Sequence, residues 1–171
     1  EGKNIESGLS QCDIVNYATR TVAKTLGPND RLAIIIFDNL VEVLFDLMPM
    51  TEMNFSTASS KIKSIVPRGQ TDIWHATEAA IDLLHSRTDK SRNGNILMLT
   101  DGIPNISPSR GEVETIRRKR ESINFSSSVY TFGFGYNLEK GLLYNIAKVA
   151  NGGTGHIPDG GMIATVFNNF T

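Results

Sequence analysis

Leu32-Ala33-Ile34-Ile35-Ile36-Phe37 is apolar at every position, and Ile96-Leu97-Met98-Leu99 repeats the pattern before breaking into Thr100-Asp101-Gly102. A strand with one wet face alternates apolar and polar side chains. Unbroken apolar runs instead predict strands buried on both faces of a parallel sheet. Helical spacing surrounds these runs. Ile14, Ala18, Val22 and Leu26 recur every fourth residue behind Ser10, a natural cap, and Asp13, which suits a first turn. Gly27-Pro28-Asn29-Asp30 stops that helix. Val41-Glu42-Val43-Leu44-Phe45 alternates, as the edge strand of a hairpin turning at Asp38-Asn39 should. Further helices are predicted over residues 55–65, 73–85, 112–122, 139–150 and 162–170, and strands over 128–132 and 155–157. Residues 1–9 are polar and glycine-bearing, a loop. Helix alternating with short apolar strand specifies an α/β fold: a doubly wound, mostly parallel sheet with one antiparallel edge strand. At 171 residues the chain fits a single domain.

Composition removes several function classes. Lys plus Arg number 17 against 18 Asp plus Glu, a net charge of −1, so no field draws nucleic acid or an anionic membrane. No apolar run approaches the roughly 18 residues of a membrane span. Cys12 is the single cysteine, which excludes an internal disulfide and a cysteine metal cage. Reducing, intracellular and cytoplasmic surroundings are the expectation. Neither the phosphate-cradling Gly-x-x-x-x-Gly-Lys-Ser/Thr nor the Gly-x-Ser-x-Gly nucleophile elbow occurs, and Gly133-Phe134-Gly135 lacks the third glycine of a dinucleotide fingerprint. His75, His85 and His156 fall in unrelated elements. Arg117-Arg118-Lys119-Arg120 lies among Glu112, Glu114 and Glu121, the pattern of a solvated helix face. The chain is expected to be no enzyme.

In such sheets ligands meet the carboxyl ends of the strands, which directs attention to residues 69–72, 100–104 and 133–136. Asp101 arrives there at the end of an apolar strand, a hard oxygen suited to Mg²⁺, Mn²⁺ or Ca²⁺. Thr71 brings a hydroxyl from a glycine-containing loop just ahead of a helix. Each has a plainer reading, Asp101 as a turn-former and Thr71 as a helix cap.

Gly69-Gln70-Thr71-Asp72-Ile73, followed one helix later by Ile96-Leu97-Met98-Leu99-Thr100-Asp101-Gly102, resembles the von Willebrand factor type A domain. Gly27-Pro28-Asn29-Asp30-Arg31-Leu32 leading to Phe37, and Tyr130-Thr131-Phe132-Gly133-Phe134-Gly135, extend the likeness over residues 9–170, closest to intracellular eukaryotic members. The resemblance implies a Rossmann-like fold and a non-enzymatic protein-interaction domain. It implies that Thr71 and Asp101 help to hold one divalent ion, Mg²⁺ or else Mn²⁺ or Ca²⁺, in a MIDAS-type site. An acidic side chain of a protein partner can complete the coordination. Gly69, Gln70, Trp74, Gly102, Ile103, Pro104 and Asn105 would form the rim, with inward packing the equal alternative for Trp74. The alternative is a metal-free scaffold within a larger intracellular assembly.

The departure from the family is at the front. The family's Asp-x-Ser-x-Ser, at the end of its first strand, has no counterpart in residues 1–9, and neither Ser7 nor Ser10 has an aspartate at the required spacing. No apolar stretch precedes Ser10 either. That strand is the middle of the family's sheet. Its absence leaves two neighbours with bare backbone edges, at a cost of several kcal/mol. The expectation is an N-terminally incomplete copy belonging to a larger polypeptide, or else a strand donated by another chain.

Overall fold

The structure is a computed structural model that describes residues 10–67, 69–158 and 162. The expected loop at 1–9 and, apart from Met162, the expected last helix lie outside the described residues. Ser10 opens α1 (Gln11–Thr25) with a capping box: its hydroxyl accepts from the Asp13 amide at 3.1 Å and its own amide donates to the Asp13 carboxylate at 2.9 Å. Next come β1 (Arg31–Phe37), β2 (Val41–Pro49), α2 (Glu52–Lys63), α3 (Ile73–Ser86) and β3 (Asn95–Thr100). Then follow α4 (Glu112–Ser122), β4 (Ser128–Phe134), α5 (Lys140–Val149) and β5 (Thr154–Ile157). Two bounds differ from expectation for local reasons. β2 runs on because its ladder with β1 continues to Arg31 opposite Pro49. α2 starts earlier because the Thr51 hydroxyl caps it, accepting from the Asn54 amide at 3.3 Å.

β3, β4 and β5 form a parallel sheet in which Leu99 stands beside Phe132 and Phe132 beside Gly155. β1 and β2 form a separate antiparallel pair. Helices cover both faces. On one, Ile73 and Ile81 of α3, Ile116 of α4 and Ile146 of α5 pack on Met98 and Val129. On the other, Ile14 and Ala18 of α1 pack on Phe132, Phe134 and Ile157. Ala23 of α1 and Ile62 of α2 meet Ile34 and Phe45 there.

The expectation that β1 and β3 are buried on both faces needs correcting. In β1 only Ile34 is fully buried. In β3 Leu97 is 39% exposed. The two strands pair with other strands but not with each other, so each presents one flank to a slot between the sheets.

The basic run on α4 divides. Arg117 pairs with Glu114 at 2.8 Å and Glu121 at 2.6 Å, and Arg118 with Glu114 at 2.6 Å. These guanidiniums hold the Glu114 carboxyl down at about 2. Lys119 meets Asp82 of α3 at 2.8 Å. Arg120 corrects the solvated-face reading: it is 6% exposed, its guanidinium lies 5.4 Å from the Phe125 ring centre, and it donates to the Ser127 carbonyl. Burial pushes its pKa down. Arg120→Ala is therefore expected to cost about 2 kcal/mol, because a buried carbonyl loses its donor. Arg118→Ala on the wet side of the same helix should cost less than about 0.5 kcal/mol. Urea unfolding of both variants checks the contrast.

Candidate functional site

The site is built at the carboxyl edge, where the ends of β1 and β3 are tied to the start of α3. The Asp72 amide donates to the Asp38 carbonyl at the end of β1 at 3.0 Å. Next to it the Thr71 amide donates to the Asn105 side-chain oxygen at 3.0 Å, and the Asn105 amide donates back to the Thr71 carbonyl at 3.2 Å. Asn105 thus fastens the loop after β3 onto the loop before α3. Gly102 makes that approach possible: a methyl group there would lie 2.8 Å from the Thr71 hydroxyl oxygen. Thr71 and Asp101 line the same cavity of about 210 Å³, together with Cys12, Phe37, Asp38 and Val66.

The plainer reading of Thr71, as the cap of α3, is not what this geometry shows. Asp72, not Thr71, caps α3: one carboxylate oxygen accepts from the His75 amide at 3.1 Å and the other sits 2.6 Å from His75 Nδ1. The Thr71 hydroxyl is left outside the cap. Thr100 contributes to the turn after β3, its hydroxyl accepting from the Gly102 amide at 3.3 Å, and Asp101 beside it is exposed.

Among the rim candidates, Gln70, Ile103 and Asn105 are exposed on this edge, Gly69 is exposed one residue further out, and Gly102 and Pro104 are half-buried in the loop after β3. Trp74 is a correction: it is 9% exposed and belongs to the core between α3, α4 and α5, because the first turn of α3 directs it inward. Asp38 is a residue that the sequence reading treated only as a turn. It is buried, accepts from the Leu40 amide at 2.7 Å, and faces the same cavity. Its signal was close to the one that exposed Asp101: an acid at the end of an apolar run, directly after it for Asp38 and one residue further on for Asp101. The 133–136 loop reaches the same edge, where Gly135 takes a φ of +77° and Tyr136 is exposed.

Cys12, at the start of α1, borders the cavity. Burial raises its thiol pKa, and the carboxylates of Asp13 and Asp101 raise it further. Cys12 is accordingly expected to react with N-ethylmaleimide more slowly than free cysteine at pH 8, and Asp101→Asn to speed it up. An unchanged rate in Asp101→Asn would place the carboxylate away from the thiol.

A hydroxyl and a carboxylate are the right kind of donor for a hard cation, which takes about six oxygens. Among the described residues no group of three His, Cys, Asp or Glu is placed to hold a metal. Thr71 and Asp101 therefore fit such an ion in kind and supply only part of its shell.

Comparison with known proteins agrees with this architecture. The family model described as von Willebrand factor type A domain matches residues 3–103. Inter-alpha-trypsin inhibitor heavy chain H3 of Bos taurus is 34% identical over 131 residues, 72% of this chain but 14% of that protein, so the chain spans a small part of that relative. A von Willebrand factor type A structure from Catenulispora acidiphila superposes with a TM-score of 0.78 at 18% identity, over 90% of this chain and 36% of that one. Proximal thread matrix protein 1 from the mussel byssus, with a zinc-occupied MIDAS motif, gives a TM-score of 0.69 at 17% identity, over 94% and 42%. By the match to its family model, this chain belongs to the von Willebrand factor type A domain family, a family of protein-interaction domains.

Proposed function

We propose that this chain is a non-enzymatic recognition domain that meets a protein partner at the Thr71–Asp101 corner through a divalent cation. The observation that carries the reading is the convergence of those two side chains on one cavity, with Gly102 and Asn105 built to hold their loops together. Asp101 would bind the ion directly or through water, and Thr71 would offer its hydroxyl. An acidic side chain of the partner would take an open position, so that the ion joins two proteins. Mg²⁺ is the leading ion and Mn²⁺ or Ca²⁺ the alternatives, since all three prefer oxygen ligands. The zinc-occupied MIDAS motif of the mussel protein supports a metal in this fold.

A second reading has its own observation. The short donor set among the described residues favours a metal-free scaffold in a larger assembly. Calorimetric titration of the chain with Mg²⁺ separates the two. Metal-linked recognition predicts weak binding, with Kd on the order of 1 mM for so few ligands, lost in Asp101→Ala. No binding heat, or heat indifferent to Asp101→Ala, removes the metal and leaves the scaffold.

A further inference from the structure

Residues 101–111, between β3 and α4, are in neither helix nor strand. Within them stands Ser107-Pro108-Ser109-Arg110, a hydroxyl followed directly by a proline and, three residues on, by a cation. Of the 6 prolines in the chain only Pro108 follows a serine or threonine, so the pattern marks one position. Proline fixes its own φ and has no amide hydrogen, which lets an enzyme pocket without an amide acceptor select it. Ser107, Ser109 and Arg110 are exposed and Pro108 is half-buried. The Gly111 amide, donating to the Pro108 carbonyl at 2.9 Å, turns the segment toward α4. A stretch held this lightly can be drawn out into an enzyme's cleft, as the serines inside helices cannot.

The hydroxyl of Ser107 also has a structural task. It donates to a Glu112 carboxylate oxygen at 2.5 Å, and Glu112 is only 6% exposed. Two residues before Ser107, Asn105 clasps Thr71 through the pair of bonds described above. Esterifying Ser107 with phosphate removes the donated proton and sets about two negative charges against a buried carboxylate. The positive end of α4 does little to offset this, because Glu112 and Glu114 of its first turn already answer it. The segment must then swing away from α4, drawing Asn105 off Thr71.

We propose that Ser107 is the acceptor for a proline-directed protein kinase, and that its phosphate unfastens the loop after β3 from the loop before α3. In the transfer Ser107 Oγ attacks the γ-phosphorus of ATP. The new O–P bond replaces the bond to the β,γ-bridging oxygen, ADP leaves with the electron pair, and the hydroxyl proton passes to the kinase's own aspartate. Neither part needs a cation at Asp101, so its test is separate from that of the metal.

The test incubates the full chain with a purified cyclin-dependent kinase, Mg²⁺ and ATP, maps the phosphate by mass spectrometry, and then follows amide hydrogen exchange. One phosphate on Ser107 is expected. Pro108→Ala keeps the hydroxyl yet should slow the transfer by about tenfold or more. Arg110→Ala should slow it less, and Ser109→Ala not at all. In the phosphorylated chain the amides of Thr71 and Asn105 are expected to exchange about tenfold faster, with Ile146 in α5 unchanged. Glu112→Gln, which removes the charge and keeps an acceptor, should reduce that acceleration. The proposal is overturned if Ser107 takes no phosphate or if transfer is indifferent to Pro108→Ala. Unchanged exchange at Thr71 and Asn105 after phosphorylation, or an acceleration undiminished in Glu112→Gln, overturns it equally.

Discussion

Gly152→Ala is expected to destabilise the domain by at least about 3 kcal/mol, more than most single substitutions. Gly152 sits where α5 hands the chain to β5, its amide closing the helix end on the Ala147 carbonyl at 2.9 Å. A methyl group there would stand 1.9 Å from the Val129 carbonyl oxygen and 2.5 Å from its carbon, both backbone atoms of β4. No rotamer relieves a clash with backbone. The segment would have to move, and it is fastened on both sides: the Val129 amide donates to the Ala150 carbonyl at 3.2 Å and the Thr131 amide to the Gly153 carbonyl at 3.0 Å. Moving it would loosen the β4–β5 pairing that shapes the sheet's far edge. Gly141 is the control. It lies in α5 with nothing within 4 Å of an added methyl group, so Gly141→Ala should stabilise by about 0.5–1 kcal/mol. Urea unfolding of the two variants checks both signs. A Gly152→Ala protein as stable as the parent would mean that α5 does not close on β4 as described.

The second large effect is expected at Phe132, on the middle strand of the three-stranded sheet. Its side chain is buried beneath α1 among Ile14, Ala18, Phe134 and Ile157, and Phe132→Ala should cost about 3–5 kcal/mol. The informative comparison is Leu97→Ala. Leu97 lies one strand over, opposite Tyr130 in the register, and in an unbroken sheet its loss would cost about 2–5 kcal/mol. Because it borders the slot and is part-exposed, the expected cost is about 1 kcal/mol or less. Thermal unfolding of both variants measures the difference. Equal losses would show that the slot is closed in solution.

Much of this was legible in the sequence because the chain punctuates itself clearly. Ser10 and Asp13 announce α1, and Gly27-Pro28 ends it before β1. The alternation in 41–45 identified the edge strand, and Asp101 emerged from the apolar run that becomes β3. Other features had no local signal. Trp74 was placed on the rim because it neighbours Thr71 in sequence, but the Asp72 cap fixes the helix start and turns the indole toward the core. Arg120 carries the same charge as its three predecessors, and only the fold shows that its position faces Phe125 and Ser127. The exposure of Leu97 depends on what stands beside β3, which no residue of β3 encodes. Asp38 was read as a turn, correctly, yet its shared cavity with Thr71 and Asp101 required the third dimension.

The claim on which the functional reading rests is that the Thr71 and Asp101 corner receives a divalent cation. Paramagnetic broadening by Mn²⁺, followed residue by residue in amide spectra, tests it directly even when binding is weak. Amides of Thr71 and of Asp101 through Asn105 should broaden first, at the lowest Mn²⁺, and Asp101→Ala should remove the effect. Broadening that begins at the acidic side chains of α4, or that persists unchanged in Asp101→Ala, would contradict it.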